Sequence, residues 1–203
     1  YPELASSWDL ANVKSLPDFV ELNSPTLDDT QKMKTIYGMA FALNVMHKNQ
    51  IVHGNIRPSS ILYTETCEPL ITDFVFTKDL LINNGFQSNS DKEQLIYMAP
   101  ETITQKSFDF KSDVYSFSVV TLQLLNNHRL RFGNRIDPFT VRIERLREFI
   151  ESKDTYNIPK AVPQLFSDLL KKGLSHSPAD RVTMEDFVNY LNDTNSPPLL
   201  NHY

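Results

Sequence analysis

The amino-acid sequence predicts a mostly α-helical fold (α+β) that contains a small amount of β structure. Several long segments carry apolar residues at spacings of three and four, which is the pattern of one face of an α-helix. Two short runs with β-branched residues flank the turn-like stretch TETCEP and predict a pair of strands. Along the chain, helices come first, the strand pair follows, and further helices complete the domain.

The N-terminal part contains the clearest helical pattern. SLPDFVEL is compatible with a short helix, and a long helix is predicted to begin at Thr26 as its N-cap. Asp28 and Asp29 would then lie in the first turn, where acidic residues interact favourably with the helix dipole. The apolar stripe of this helix consists of Met33, Ile36, Ala40, Leu43 and Met46.

The central and C-terminal parts consist of a polar loop and further helices. Residues 75–96 show no sustained period and contain NNGFQSNSDKEQ, which predicts an exposed loop. The segment DVYSFSVVTLQLL is apolar on nearly all sides and predicts a buried helix. Three amphipathic helices are predicted at about 139–152, 163–174 and 183–191. Thr183, with Glu185 close behind it, would begin the last of them.

Composition and charge argue against several classes of function. The 203 residues carry a formal net charge of −5 and no basic stripe, so neither nucleic acid nor an anionic membrane surface is an expected partner. The single cysteine, Cys67, excludes an internal disulfide and predicts a free thiol in a reducing compartment. No apolar run approaches the roughly 20 residues of a membrane-spanning helix, so no membrane segment is expected in this sequence.

Five short motifs follow one another in a characteristic order: HGNIRPSSIL, DFV, YMAPE, SDVYSF and SPADRVTMEDF. In this order and with these gaps they resemble the catalytic loop, the metal-binding D-F-G, the A-P-E, the central buried helix and the late arginine of protein kinases. The resemblance extends from about residue 7 to about residue 192. It implies a kinase C-lobe, a helical bundle with a short β-hairpin that carries the catalytic and metal loops.

The resemblance also implies a domain organisation. Residues 1–203 would form a partial protein-kinase-like domain, with the end of the N-lobe and the hinge at about 1–11. The C-lobe would occupy 12–192, and 193–203 would be a tail that frays. The Gly-rich loop and the strand lysine of the N-lobe have no counterpart in the sequence, so the N-lobe is expected to be largely absent.

A second kinase group shares one feature of the catalytic loop. Small-molecule kinases of the aminoglycoside and choline type carry H-G-D-x-x-x-x-N, and Gly54 resembles their glycine. These enzymes lack the A-P-E and the S-D-V-Y-S-F elements that this chain contains. The small-molecule kinases are therefore a remote alternative.

Three positions of the catalytic loop depart from the kinase pattern. Asn55 replaces the aspartate that orients and deprotonates the substrate hydroxyl, and losing a positioned base typically costs about 10²–10⁴-fold in rate. Arg57 replaces the lysine that contacts the transferring phosphate, so the charge stays but a planar guanidinium carries it. Ser60 replaces the asparagine that binds the second Mg²⁺, which predicts weakened metal binding at that position.

The resemblance places the remaining nucleotide contacts on two segments. Asp73 would be the one anionic Mg²⁺ ligand, and Leu62 would lie under the adenine ring. Val75 replaces the glycine of D-F-G and restricts the backbone after Phe74, because valine resists positive φ angles. Binding of ATP and Mg²⁺ is therefore possible but weak, and no tightly bound cofactor is expected.

The positions that shape the kinase fold are present. His53 and Phe74 would stack in the core, and Asp113 would accept hydrogen bonds from the backbone at residues 53–54. Glu101 and Arg181 would form a partly buried ion pair, in which removal of one partner costs about 3–5 kcal/mol. The motifs thus keep the scaffold while the catalytic positions differ, which is typical of pseudokinases.

The resemblance implies a role in phosphorylation signalling. The favoured function is a pseudokinase with a regulatory or scaffolding role, with other proteins as its partners and its oligomeric state left open. The alternative is an active or weakly active serine/threonine kinase that transfers the γ-phosphate of ATP to protein hydroxyls. The expected location is the cytoplasm or the cytoplasmic side of a membrane protein.

Overall fold

The structure, a computed structural model, describes residues 13–23, 27–73, 95–105, 107–127, 139–152 and 155–193. Seven α-helices and three short strands lie in these ranges, so the described part of the chain is mostly helical, as the sequence predicts. In chain order they are β1 (Lys14–Ser15), α1 (Leu16–Asn23), α2 (Asp29–Lys48), β2 (Ile61–Tyr63), β3 (Pro69–Ile71), α3 (Pro100–Gln105), α4 (Phe110–Leu125), α5 (Phe139–Ser152), α6 (Gln164–Gly173) and α7 (Met184–Asn192).

Helix α2 begins two residues later than predicted from the sequence. Its N-cap is Asp28, whose carboxylate accepts a hydrogen bond from the backbone N–H of Gln31 over 2.7 Å. Asp28 is therefore the cap rather than a first-turn residue, because its carboxylate satisfies an N–H that the helix cannot pair internally. Thr26, the predicted cap, lies outside the described residues.

The buried face of α2 joins the helix to the rest of the domain. Four of its apolar side chains have no exposed surface, and one of them, Met39, adds to the predicted stripe; the four are Ile36, Met39, Ala40 and Leu43. On an adjoining face, Gly38 meets the hairpin so closely that an added Cβ would lie 2.7 Å from the Cγ of Pro69. α2 also packs against α4 and, most extensively, against α7.

The predicted hairpin is present and forms part of a three-stranded antiparallel sheet in the order β1-β2-β3. Ile61 pairs with Ile71 and Leu62 with Leu70 across β2 and β3. β1 was not predicted, because two residues are too few to show an alternating pattern. Cys67 lies in the turn of the hairpin with a φ angle of 60° and is a free thiol, as predicted.

Helix α4 is buried on nearly all sides because two clusters of apolar residues pack against it. It begins at Phe110, three residues before the predicted segment, since Asp109 caps it by accepting from the Ser112 N–H over 2.9 Å. One face of α4 joins a core shared with α2, α6 and α7. The opposite face joins a second core that includes Leu146 and Phe149 of α5. The all-round apolar sequence of α4 therefore reflects its central position.

The C-terminal helices agree closely with the sequence pattern. α5 has the predicted bounds, and α6 and α7 differ from prediction by one residue at each end. Thr183 caps α7 as predicted, although its partner in the capping box is Asp186 rather than Glu185. None of the described helices combines the length and the apolarity that a crossing of the bilayer requires.

The predicted loop at 75–96 needs one correction. Residues 74–94 lie outside the described ranges, but Ile96 is only 4% exposed and belongs to the core beside α4. The end of this segment is therefore buried, because it leads directly into α3, which the sequence analysis did not predict. The tail from residue 194 onward also lies outside the described residues.

Candidate active site

The loop that carries Asn55 is anchored to helix α4 by one carboxylate. Asp113, which is 1% exposed, accepts hydrogen bonds from the backbone N–H groups of His53 over 2.7 Å and Gly54 over 2.8 Å. The same carboxylate lies 3.0 Å from Nε2 of His47, near the end of α2. These contacts satisfy a carboxylate that would otherwise be costly to bury. The two backbone contacts are those that the resemblance implies.

Gly54 has a backbone reason to be glycine. Its φ angle is 75°, in the left-handed region that residues with a Cβ enter only at a cost. The sharp turn at this point allows two consecutive N–H groups to reach the Asp113 carboxylate. Gly54 is therefore explained by the turn, without reference to the small-molecule kinases.

His53 lies in the core beneath the loop. Its side chain has no exposed surface, and its Nδ1 accepts a hydrogen bond from the Asn55 N–H over 3.2 Å. Burial lowers the pKa of His53, and the charge of Asp113 opposes this effect only in part. A buried neutral imidazole supports the loop rather than exchanging protons with solvent. The predicted stacking partner, Phe74, lies outside the described residues.

Asn55 occupies the position of the kinase base and faces the end of β3. It is 7% exposed, and its side-chain Nδ2 donates to the carbonyl oxygen of Asp73 over 3.3 Å. An amide in this position can donate and accept hydrogen bonds, but it does not take up a proton near neutral pH. The structure therefore joins the loop and the predicted metal-binding segment through a neutral side chain.

Ser60 closes the loop on itself. Its Oγ donates to the carbonyl oxygen of Arg57 over 2.8 Å and accepts from the Arg57 N–H over 3.1 Å. Because Ser60 has no exposed surface, these contacts count against its predicted role as a weak Mg²⁺ ligand. Arg57 itself is half-buried at the start of the short 3₁₀ turn that leads into β2.

Asp73 is exposed, whereas Asn55 and Ser60 are buried. Its φ angle of 60° lies in the left-handed region, and the preceding residue is fixed by a 2.9 Å hydrogen bond from the Thr72 N–H to the Ser60 carbonyl oxygen. Leu62, the predicted adenine contact, is half-buried on the neighbouring strand β2. An exposed carboxylate on Asp73 and an aliphatic side chain on Leu62 supply part of the chemistry that a metal–nucleotide requires.

The fit is partial because the metal would have few protein ligands. Within the described ranges, no group of three or more His, Cys, Asp or Glu side chains is arranged to hold a metal ion. Mg²⁺ commonly binds through one or two carboxylates together with phosphate oxygens and water. Asp73 would therefore be the main protein ligand, with Ser60 contributing little.

Glu101 and Arg181 form the ion pair that the resemblance implies. Nη1 and Nη2 of Arg181 donate to the two carboxylate oxygens of Glu101 over 2.6 and 2.8 Å. Arg181 also donates from Nε to the Ser175 carbonyl oxygen over 2.8 Å and from Nη1 to the Lys111 carbonyl oxygen over 2.9 Å. The Arg181 side chain is completely buried and that of Glu101 is 9% exposed, so each charge depends on the other.

Several neighbours of this ion pair were not identified from the sequence. Ser112 donates to Glu101 over 3.1 Å, and Lys111 donates to the carbonyl oxygen of Arg181. Tyr115 lies 4.9 Å from the guanidinium carbon of Arg181, and burial raises the pKa of Tyr115 to about 12. These contacts join residues far apart in the chain, so no local pattern indicated them.

His47 contacts the carboxylate that anchors the loop, and the sequence analysis did not identify it. It contacts Asp113 across 66 positions of the chain and packs its ring 4.9 Å from that of Phe110. Its position one residue before the end of α2 gave no functional signal, because a histidine near a helix C-terminus is equally explained by the helix dipole. Only the packing of α2 on α4 shows its role.

Known protein kinases are similar in sequence to this chain over most of its length. A leucine-rich repeat receptor-like kinase of Arabidopsis thaliana, named "Probably inactive", is 30% identical over 87% of this chain and 19% of that protein. The serine/threonine-protein kinase unc-51 of Caenorhabditis elegans is 27% identical over 90% of this chain and 22% of that protein. The chain thus spans about a fifth of the length of these relatives.

The match is not limited to individual relatives. The sequence model of the protein kinase domain matches residues 5–191, which is most of the 203-residue chain. All five motifs lie within this range, as do the Glu101–Arg181 ion pair and the Asp113 anchor. The chain therefore belongs to the protein kinase family.

Proposed function

We propose that this chain is part of a catalytically inactive, or nearly inactive, protein kinase domain that regulates or scaffolds phosphorylation signalling. The observation that carries the proposal is the state of Asn55. It occupies the position of the base, it is almost completely buried, and its amide donates to the Asp73 backbone. A side chain with this chemistry cannot accept the proton of a substrate hydroxyl.

The neighbouring positions support the same proposal. The Ser60 hydroxyl proton is committed to the Arg57 carbonyl oxygen, and the side chain has no exposed surface. The second metal position of a kinase would therefore lack a suitable ligand. Because phosphoryl transfer depends on positioning and on charge neutralisation, loss of one metal lowers the rate further.

Nucleotide binding is the part of kinase function that these residues support best. A bound Mg²⁺–ATP would supply the γ-phosphoryl group and the positive charge that offsets it. Asp73 would hold the metal, Leu62 would contact the adenine, and Arg57 would lie near the phosphates. With one carboxylate as the main ligand, the expected binding is weak and strongly dependent on Mg²⁺.

The family relationship supports a proposal for the partners and the location of the domain. The name of the Arabidopsis relative describes a leucine-rich repeat receptor-like protein kinase. By analogy we propose that the domain lies in the cytoplasm or on the cytoplasmic side of a membrane protein. Other proteins of phosphorylation pathways are its proposed partners.

A phosphotransfer assay with the full-length protein tests the proposal. Incorporation of labelled phosphate into the protein itself and into a generic protein substrate is compared with that of Asp73→Ala, which lacks the metal ligand. The proposal predicts no difference between the two proteins. Mg²⁺-dependent transfer by the wild type that Asp73→Ala abolishes would overturn it.

An active or weakly active serine/threonine kinase is the second candidate. The exposed carboxylate of Asp73 favours it, as does the similarity to the kinase unc-51. In this case Asn55 would orient the substrate hydroxyl without removing its proton. Absence of Mg²⁺-dependent ATP binding by the full-length protein would exclude this candidate. A small-molecule kinase has lost its main support, since Gly54 is explained by the turn that it makes.

A further inference from the structure

The loop of residues 53–60 and the end of strand β3 are joined by a set of contacts that we call the loop clasp. The Thr72 N–H donates to the Ser60 carbonyl oxygen over 2.9 Å, and the Thr72 backbone also interacts with the ring of His53. The third contact is the hydrogen bond from Asn55 Nδ2 to the Asp73 carbonyl oxygen over 3.3 Å. Of these three contacts, the Asn55 hydrogen bond extends to the backbone of Asp73.

Asp73 needs support from its surroundings. Its φ angle of 60° lies in a region that residues with a side chain occupy rarely, and such conformations persist only where neighbouring groups hold them. Asp73 is exposed, so its side chain contributes little buried surface that could hold this conformation. The hydrogen bond from Asn55 acts on the backbone of the same residue.

The amide of Asn55 suits this contact better than the acid of an active kinase. An ionised carboxylate accepts hydrogen bonds but donates none. If Asn55 were aspartate in the same conformation, its oxygen would face the carbonyl oxygen of Asp73, and the contact would be lost. The substitution that removes the base therefore supplies a donor to the clasp.

We propose that Asn55 is a positioning residue, whose side-chain amide fixes the backbone of Asp73 and keeps the Asp73 carboxylate available to the metal of a bound nucleotide. The ligand in this inference, Mg²⁺–nucleotide, rests on the proposed function above. The positioning role itself, in which the neutral amide of Asn55 joins the loop of residues 53–60 to the end of β3, does not depend on any ligand.

The experiment compares two variants of the full-length protein with the wild type. Asn55→Asp keeps the shape of the side chain and removes the donor, while Asn55→Ala removes the whole amide. Asn44→Asp is the matched control, because Asn44 is 9% exposed, comparable with the 7% of Asn55, and lies on α2. Hydrogen exchange is measured at the amides of Thr72 and Asp73, with the amides of α4 as the reference for global unfolding.

The two Asn55 variants should exchange the Thr72 and Asp73 amides about five-fold faster relative to α4, the factor expected for loss of one neutral hydrogen bond. Asn44→Asp should leave this ratio unchanged. Titration with a fluorescent ATP analogue, with and without Mg²⁺, should show about five-fold weaker Mg²⁺-dependent binding by both Asn55 variants.

The outcomes separate the clasp from the proposed function. An unchanged exchange ratio in both Asn55 variants would overturn the positioning role, whatever the nucleotide does. If the wild type does not bind the analogue at all, the proposed nucleotide site is wrong. In that case faster exchange in the Asn55 variants would still establish the clasp. Because exchange is referred to α4, a variant that is globally destabilised remains interpretable.

Discussion

The buried scaffold and the loop that carries Asn55 differ in the charge of their buried polar side chains. In the buried scaffold, Glu101 pairs with Arg181, and Asp113 accepts hydrogen bonds from the loop backbone. The loop above it has a neutral amide at Asn55 and a hydroxyl at Ser60. The comparison indicates that the fold and the chemistry of a kinase place separate demands on the sequence.

The physical reason for the difference is burial. Removing one member of a buried ion pair leaves a charge without compensation, so a single substitution there is costly. In the loop, each neutral side chain finds a partner nearby: Asn55 donates to Asp73, and Ser60 bonds to Arg57. The loop can therefore lack catalytic groups and still keep its shape, because its polar side chains remain hydrogen-bonded.

The largest effect is expected at the ion pair. Arg181→Ala should lower the free energy of unfolding by about 3–5 kcal/mol, because it leaves the Glu101 carboxylate buried and unpaired. Urea denaturation of the full-length protein measures the change. Lys48→Ala is the control, since the Lys48–Glu185 pair is equally close at 2.7 Å but more than half exposed, and should cost less than about 1 kcal/mol. Equal losses in both variants would contradict the contrast between buried and exposed charges.

A smaller effect is expected where α6 packs against α4. A Cβ on Gly173 would lie 2.2 Å from Oγ of Ser118 and 3.3 Å from Cζ of Phe187. Gly173→Ala should therefore destabilise the fold by about 1–3 kcal/mol, the usual range for overpacking a core. The double variant Gly173→Ala/Ser118→Ala removes the closest atom and should recover part of the loss in the same denaturation experiment. A neutral Gly173→Ala would mean that the scaffold packs less tightly than the comparison requires.

The smallest effect concerns the tyrosine beside the ion pair. Burial raises the pKa of Tyr115 to about 12, so the folded protein keeps this proton while the unfolded chain loses it near pH 10. Stability from this group is complete below pH 10 and is lost as the pH rises towards 12. By linkage, Tyr115 should account for roughly 0.8 kcal/mol of the stability lost by pH 10.5.

Tyr115→Phe measures this contribution. The difference in unfolding free energy between wild type and variant should shrink by roughly 0.8 kcal/mol between pH 7 and pH 10.5, because the variant lacks the titrating group. The loss of the hydrogen bond to Tyr156, 3.1 Å away, affects both pH values and cancels in the comparison. If the difference in unfolding free energy were the same at both pH values, burial in the scaffold would not raise the pKa of Tyr115.

Much of the fold could be predicted from the sequence because its signals are local. The apolar stripe of α2, the hairpin around TETCEP and the bounds of α5 all depend on periodicity or turn composition within a few residues. Helix α3 and strand β1 escaped prediction, since six and two residues are too short for a pattern. The start of α2 was wrong because two adjacent aspartates and a threonine are all good caps, and only the structure identifies Asp28.

The site was predictable to the extent that family motifs define it. The Asp113 anchor and the Glu101–Arg181 pair were expected at the correct residues, because the resemblance relates distant positions that local patterns cannot. His47 was missed, since it belongs to no quoted motif and meets Asp113 only when α2 packs on α4. The hydrogen bond from Asn55 to Asp73 was also missed. Comparison with the kinase motif shows that Asn55 lacks the carboxylate of the base, but it does not show which group the amide of Asn55 contacts.

The most direct test of the central claim, that the scaffold is intact while the reaction is lost at Asn55, is phosphotransfer by full-length protein at saturating Mg²⁺–ATP. Wild type, Asn55→Asp and Asp73→Ala are compared in one assay. We expect wild type to equal Asp73→Ala, and Asn55→Asp to exceed both by about ten-fold or more, since it restores a positioned base. Transfer by the wild type that Asp73→Ala abolishes, with no gain from Asn55→Asp, would contradict the account.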